Sequence, residues 1–278
     1  MVVPMNAVNQ ADQTLHSLAQ LLALTAMQWL PSRPDDSQTN LCWNSDRHRL
    51  EGRPFTHNGH QLRLVIDMNT FTLQFIDERE HISATFSPEN RTPADALIWW
   101  TSQMQAWGMA GGNPLNYQLD QPPVAAQAVY KRPAELLTWA HWRTTANAAL
   151  KTLNEWSGRE SDIRIWPHHF DTGVYYAQTD PDGREKAAIW AGYAIADSVC
   201  SEPYFYLSGY QRGQAVGFGA APALSAGQWR VGPDWQGALL PISEAADTAH
   251  IALFFQESYS WLAETGLPDW INSVEDRR

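Results

Sequence analysis

Two observations predict an α+β fold with antiparallel sheets. Runs of alternating apolar and polar residues occur in two blocks, and each block is bracketed by segments with apolar residues at helical spacing. Short polar turns separate the strand candidates within a block, which is the mark of antiparallel meanders. End to end, the order is helix, strands, helix, then helix, strands, helix. A diverged duplication leaves such an order, although no residue identity links the two halves.

Taken in order, Met1 to Gln10 read as a loose start. A helix follows from about Asp12 to Leu30 on Leu15, Leu18, Leu21, Leu22 and Met27, and Pro31 and Pro34 end it. Leu41-Cys42-Trp43 and His48-Arg49-Leu50 are short strand candidates. Gln61 to Met68, Thr70 to Ile76 and His81 to Phe86 alternate as strands. A second helix opens with Thr92 as N-cap, Pro93 at the first position and Asp95 at the third. Its expected inward face is Leu97, Trp100, Met104 and Trp107, and Gly108 with Gly111-Gly112 stop it. Residues 1–112 form the N-terminal half. Residues 113–132, with Pro122-Pro123, read as a linker, and 133–278 form the C-terminal half; one compact domain is the alternative.

The C-terminal half starts with a helix from Pro133 to Trp156, with Leu136, Leu137, Ala140, Trp142 and Leu150 as its apolar members. Strands are expected at Ile163 to Ala177, Ala187 to Ala196, Glu202 to Tyr210, Gln228 to Val231 and Gly237 to Leu240. A final helix spans Asp247 to Glu264, with Ile251, Phe254, Phe255, Tyr259 and Leu262 inward.

Composition narrows the function. Among 278 residues, 44% are apolar, enough for a sizeable core, and 14 are Trp. Trp suits cores, pocket walls and sugar-stacking platforms. The net charge of −11 and the lack of a basic run argue against a nucleic-acid partner. Cys42 and Cys200 fit neither zinc spacing nor a redox pair, which points to a reduced, cytoplasmic setting. The start of the chain is a poor signal peptide. The apolar run Leu15 to Leu30 holds His16, Gln20 and Gln28 and does not read as a membrane span.

The densest chemistry lies in Ile163 to Ala177. If that segment is extended, Trp166, His168 and Phe170 share one side and His169 and Asp171 the other. A carboxylate two residues from an imidazole can orient it, or both can hold one metal ion. Pro167 breaks regular pairing just before the histidines. The bland alternative is a pair of hydrogen-bonded structural histidines at a strand end.

The order of elements resembles a large bacterial family known as a domain of unknown function. The matching residues are Leu15-His16, His169-Phe170-Asp171-Thr172, Glu202-Pro203-Tyr204-Phe205-Tyr206, Gly217-Phe218-Gly219-Ala220-Ala221-Pro222 and Leu239-Leu240-Pro241. Trp166-Pro167-His168-His169 and Leu41-Cys42-Trp43 depart from the pattern, as in a divergent branch. The resemblance implies a fold and no activity.

The best constellation joins His168, His169 and Asp171 to Glu202, Tyr204, Tyr206 and Asp197. His168, His169, Asp171 and Glu202 are the catalytic candidates. Trp166, Tyr204, Tyr206 and Asp197 are the ligand-binding candidates. His168, His169 and Asp171 are also the metal candidates. The first expectation is a small-molecule binding protein with a pocket lined by these His, Asp, Glu and Tyr side chains. The alternatives are a metal- or acid/base-dependent hydrolase or isomerase of a small polar substrate, and an interaction module without a pocket. No cofactor is indicated by any motif. The Gly213, Gly217, Gly219 segment lacks the strand-to-helix setting of a dinucleotide site and reads as a loop over a pocket. Glu202 has its own bland reading, a strand-end carboxylate paired with an arginine.

Overall fold

The computed structural model describes residues 5–109, 115, 117–119, 123–267 and 270. Helices and two antiparallel sheets give the chain an α+β fold. The element order repeats, and a duplication is not demonstrated by it. The chain divides into two compact units: Met1–Thr144 with Arg164–Phe170, and Thr145–Ile163 with Asp171–Arg278. This division falls at Thr144 and again around the 164–170 segment, whereas composition placed the boundary at 113–132. Gly111, Gly112 and Pro122, expected punctuation, lie outside the described residues.

In unit 1, helix α1 (Met5–Trp29) starts well before Asp12. Val8 and Ala11 extend the buried stripe of Leu15, Leu18 and Leu22 at helical spacing, which makes the early turns helical rather than loose. Strands β1 (Cys42–Asn44), β2 (Arg49–Glu51), β3 (Phe55–His57), β4 (His60–Asp67), β5 (Thr72–Asp77) and β6 (Ile82–Phe86) follow. Their order is β1-β2-β4-β5-β6, with β3 paired to β4. Strand β3 was not anticipated, yet its signal is present. Asn58 (φ 49°) and Gly59 (φ 80°) form the two-residue turn with both residues left-handed that joins hairpin strands. The β5–β6 register shifts between Phe75 and Ile76, a bulge.

Helix α2 (Pro93–Ala106) opens with a complete capping box between Thr92 and Asp95, as the sequence predicts. Ala96, Trp100 and Met104 are buried, while Leu97 is 46% exposed. The inward face follows the helical angle, which puts small Ala96 inside and Leu97 outside. Helix α3 (Leu136–Ser157) starts in unit 1 and ends in unit 2. Here too the type of residue misleads: Leu137 is 72% exposed, and Trp139 and Arg143 are fully buried. Strand β7 (Arg164–Trp166) belongs to unit 1, where Ile165 exchanges two backbone hydrogen bonds with Leu41 at 2.8 and 2.9 Å.

Unit 2 carries β8 (Asp171–Thr179), β9 (Glu185–Ala194), β10 (Tyr204–Gln211), β11 (Gln228–Val231), β12 (Gln236–Pro241) and α4 (Thr248–Trp261). The strand order runs β8-β9-β10-β12-β11, all antiparallel. Asp247 caps α4 by accepting from the His250 amide at 2.8 Å. One sheet face is core: Tyr193, Phe205, Leu207 and Leu240 are buried, as are Ile251, Phe254 and Phe255 of α4, and the Phe205 and Phe255 rings meet at 6.0 Å. Phe218 is buried between the rings of Trp229 and Trp261. The glycine-rich segment around it is therefore anchored by an aromatic side chain. Both cysteines are free. Among the described residues, no helix is long and apolar enough to cross a membrane.

Candidate functional site

In unit 1 the histidine pair sits on a turn, not on an extended strand. Residues 167–170 form the turn that follows β7, closed by the Phe170 amide donating to the Trp166 carbonyl at 2.7 Å. Phe170 has φ 57°, which ends the simple alternation of faces. The expected sharing of one side by Trp166, His168 and Phe170 does not hold. Pro167 and Phe170 are buried, Trp166 and His168 are half-buried, and His169 is exposed.

Helices α1 and α3 hold this turn from below. The Phe170 ring stacks on His16 at 5.0 Å and on Trp139 at 6.0 Å. Arg143, without solvent exposure, places its guanidinium 4.7 Å from the Phe170 ring and 4.9 Å from Trp139. Its Nη2 donates to the Phe170 carbonyl at 2.7 Å and lies 3.6 Å from Asp12 Oδ1. That oxygen also accepts from Trp139 Nε1 at 2.8 Å. Among the described residues, buried Asp12 Oδ2 has no hydrogen-bond partner. Burial therefore outweighs the guanidinium and pushes the Asp12 carboxyl up to about 6.

The Pro167 carbonyl accepts from Gln20 Nε2 at 2.8 Å and contacts His16 Nε2 at 2.9 Å. A carbonyl oxygen only accepts, which fixes the proton of neutral His16 on Nε2. Burial lowers the His16 imidazole to about 4, against the pull of that carbonyl. Tyr117 donates to Gln20 Oε1 at 2.7 Å and sets its ring 5.6 Å from His168. The His168 and His169 rings are 4.4 Å apart. The sequence reading missed Asp12, His16, Gln20, Trp139 and Arg143. Their one local sign is polar residues on an otherwise apolar helix face.

In unit 2, Asp171, Tyr206, Tyr204 and Asp197 form two carboxylate–phenol pairs. The Tyr206 hydroxyl donates to Asp171 Oδ2 across β9. Gly192 makes this crossing possible. A Cβ there would stand 2.6 Å from the Tyr206 hydroxyl and 2.4 Å from the Thr172 carbonyl oxygen. The Tyr204 hydroxyl donates to Asp197 Oδ2 at 2.9 Å, while Asp197 Oδ1 accepts from the amides of Val199 and Cys200. Tyr204 and Tyr206 are buried with Ala194 and Leu239, and Trp190, Val199, Cys200 and Trp235 pack against them. Burial raises the Tyr204 phenol, and the adjacent Asp197 adds to it.

Glu202 is used elsewhere. Its two oxygens accept from the amide and the hydroxyl of Ser243 at 2.9 and 2.8 Å, so the partner is a serine rather than the expected arginine. Among the described residues, no group of three or more His, Cys, Asp or Glu stands close enough to hold a metal ion.

The same face of unit 2 has a more open half that the sequence reading passed over. Tyr175 and Trp190 are register partners, with near-parallel rings 6.2 Å apart. Tyr210 of the next strand is 6.4 Å from Trp190. All three are half-buried, and buried Ala188 lies in β9 two residues before Trp190. Both phenols converge on Glu185 Oε1, Tyr175 at 2.8 Å and Tyr210 as a second donor. Burial, with the Glu185 carboxylate, raises the Tyr175 phenol; the hydrogen bond to Glu185 raises Tyr210. The period-2 pattern Tyr204, Tyr206, Ser208, Tyr210 was the available signal.

Unit 1 also has a depression of about 430 Å³ between β6 and α2, beside Trp99 and Ile98. Of its two carboxylates, Asp95 caps α2 and Glu89 accepts from the Arg132 amide. Comparison of the chain with protein-family models, with curated proteins and with solved structures gives no match.

Proposed function

We propose that the chain is a small-molecule binding protein whose ligand lies on the Tyr175–Trp190–Tyr210 side of the unit 2 sheet. One observation carries this reading. Three aromatic rings from three neighbouring strands stay half-exposed in a row, with a carboxylate that accepts from the phenols of the two outer rings. Binding sites pair apolar walls with few, well-placed polar groups, and this row has that composition. The buried pairs Tyr206–Asp171 and Tyr204–Asp197 support the row from its closed side. The motif resemblance adds a fold and no activity, so the reading rests on these residues.

The test is ligand-observed NMR of a fragment set against the wild-type chain and Trp190→Ala. Fragments that bind should lose their saturation-transfer signal in the variant, an affinity loss of about tenfold or more. Thermal melting of the variant checks that it folds. Signals that persist unchanged in folded Trp190→Ala place the ligand elsewhere and sink the reading.

A further inference from the structure

We infer that the ligand of this aromatic row is an organic cation, an ammonium or guanidinium group seated against Trp190 and Glu185. The inference rests on the binding reading above and adds the chemical class.

The argument is one of available partners. Glu185 Oε1 is held by two phenol donors, Tyr175 and Tyr210, which fixes the carboxylate before any ligand arrives. Both of these hydrogen bonds fall on one oxygen, and the side chain is half-exposed, so the second oxygen is the one left to face a ligand. Both phenol protons already point at Glu185. Apart from the Trp190 indole N–H, the row therefore offers a ligand acceptors and ring faces rather than donors. A sugar needs donors as well as acceptors around its hydroxyls. A cation needs only acceptors and π faces, and aromatic faces attract it directly.

Charge agrees with this. Asp171 and Asp197 stand farther along the same face, each bonded to a tyrosine. Arg212, which could have neutralised Glu185, is paired with Asp180 at 2.9 Å. Arg230 donates to the Val199 carbonyl. The whole chain carries a net charge of −11, which adds a general attraction for cations.

Calorimetric titration of the full chain tests it, with choline and arginine amide as cations. 3,3-Dimethylbutan-1-ol serves as the uncharged copy of choline, and cellobiose as a sugar. At least one cation should bind saturably below about 10 mM, and the uncharged alcohol should bind about tenfold more weakly or not at all. Glu185→Gln keeps an acceptor for both phenols and removes the charge; it should weaken the cation about tenfold. Binding of the alcohol or the sugar at least as well as the cations, abolished by Trp190→Ala, overturns the cation and leaves the binding reading standing. Binding of a cation that neither Glu185→Gln nor Trp190→Ala weakens overturns both. No saturable heat from any of the four probes up to about 10 mM overturns the cation inference; the fragment screen then judges the binding reading by itself.

Discussion

Arg143 and Phe170 are joined twice. The guanidinium donates to the Phe170 carbonyl at 2.7 Å, and its face lies 4.7 Å from the Phe170 ring. A charge is thereby used to hold a backbone turn in a left-handed conformation. Removing it strands Asp12, whose second oxygen already lacks a partner among the described residues. Arg143→Ala should cost about 3–5 kcal/mol in urea denaturation. The double variant Asp12→Asn, Arg143→Met should cost clearly less than the sum of the single changes, because no buried charge remains. Additive losses would show that the two groups do not act as a pair.

Two buried titrating groups below this turn work in opposite directions. Asp12 is raised from 3.8 to about 6, so between those values the folded chain keeps a proton that the unfolded chain has released. Its effect is a loss of stability as pH rises through that window. His16 is lowered from 6.5 to about 4, so the unfolded chain binds a proton that the folded chain refuses. Its effect is a gain of stability as pH rises from 4 to 6.5. Each slope is at most about 1.4 kcal/mol per pH unit. The wild type should therefore be nearly flat in this range as far as these two groups go. His16→Gln should become less stable from about pH 4 to 6, and Asp12→Asn more stable. Stability profiles parallel to wild type in both variants would contradict this balance.

Gly192 sits beneath the Tyr206 phenol. A Cβ at this position meets that hydroxyl and a backbone carbonyl, so Gly192→Ala should destabilise by about 1–3 kcal/mol. Tyr206→Phe should relieve only part of that cost, because the Thr172 carbonyl cannot move away easily. Chemical denaturation of the two single variants and the pair measures it. A Gly192→Ala chain as stable as wild type would mean that the sheet flexes here.

His169 is exposed on a turn that other residues hold. His169→Ala should change stability by no more than about 0.5 kcal/mol. His16→Ala removes a stacked ring and a donor to Pro167, and should cost about 2–4 kcal/mol. Equal losses from both changes would mean that the exposed histidine is itself part of the clamp.

Much of the fold was legible because its signals are local. Thr92, Pro93 and Asp95 lie within one helical turn and specify a start by themselves. The alternation in β4 and β5 needs only neighbours. The errors at Leu97 and Leu137 came from ranking residues by type when angle decides. Asn58-Gly59 was readable and passed over. The clamp on Pro167 and Phe170 was a different matter. His16 reaches Pro167 over 151 residues, and Trp139 reaches Asp12 over 127. Nothing in a helical stripe states which distant partners its few polar residues will meet. Tyr204 and Tyr206 were assigned one face correctly by alternation. The partner Asp171 follows from strand register and the partner Asp197 from the fold of the β9–β10 loop, neither of which the sequence alone fixes.

The bulge between Phe75 and Ile76 has a consequence for behaviour at high concentration. Strand β6 ends its sheet order, and Ile82 on it is 53% exposed. A straight edge strand would invite another chain to add a strand. The shifted register bends β6 away from a regular template, so self-association through this edge is discouraged by geometry rather than by charge. Aggregation of the chain should accordingly begin from partly opened forms in which the β5–β6 pairing has come apart.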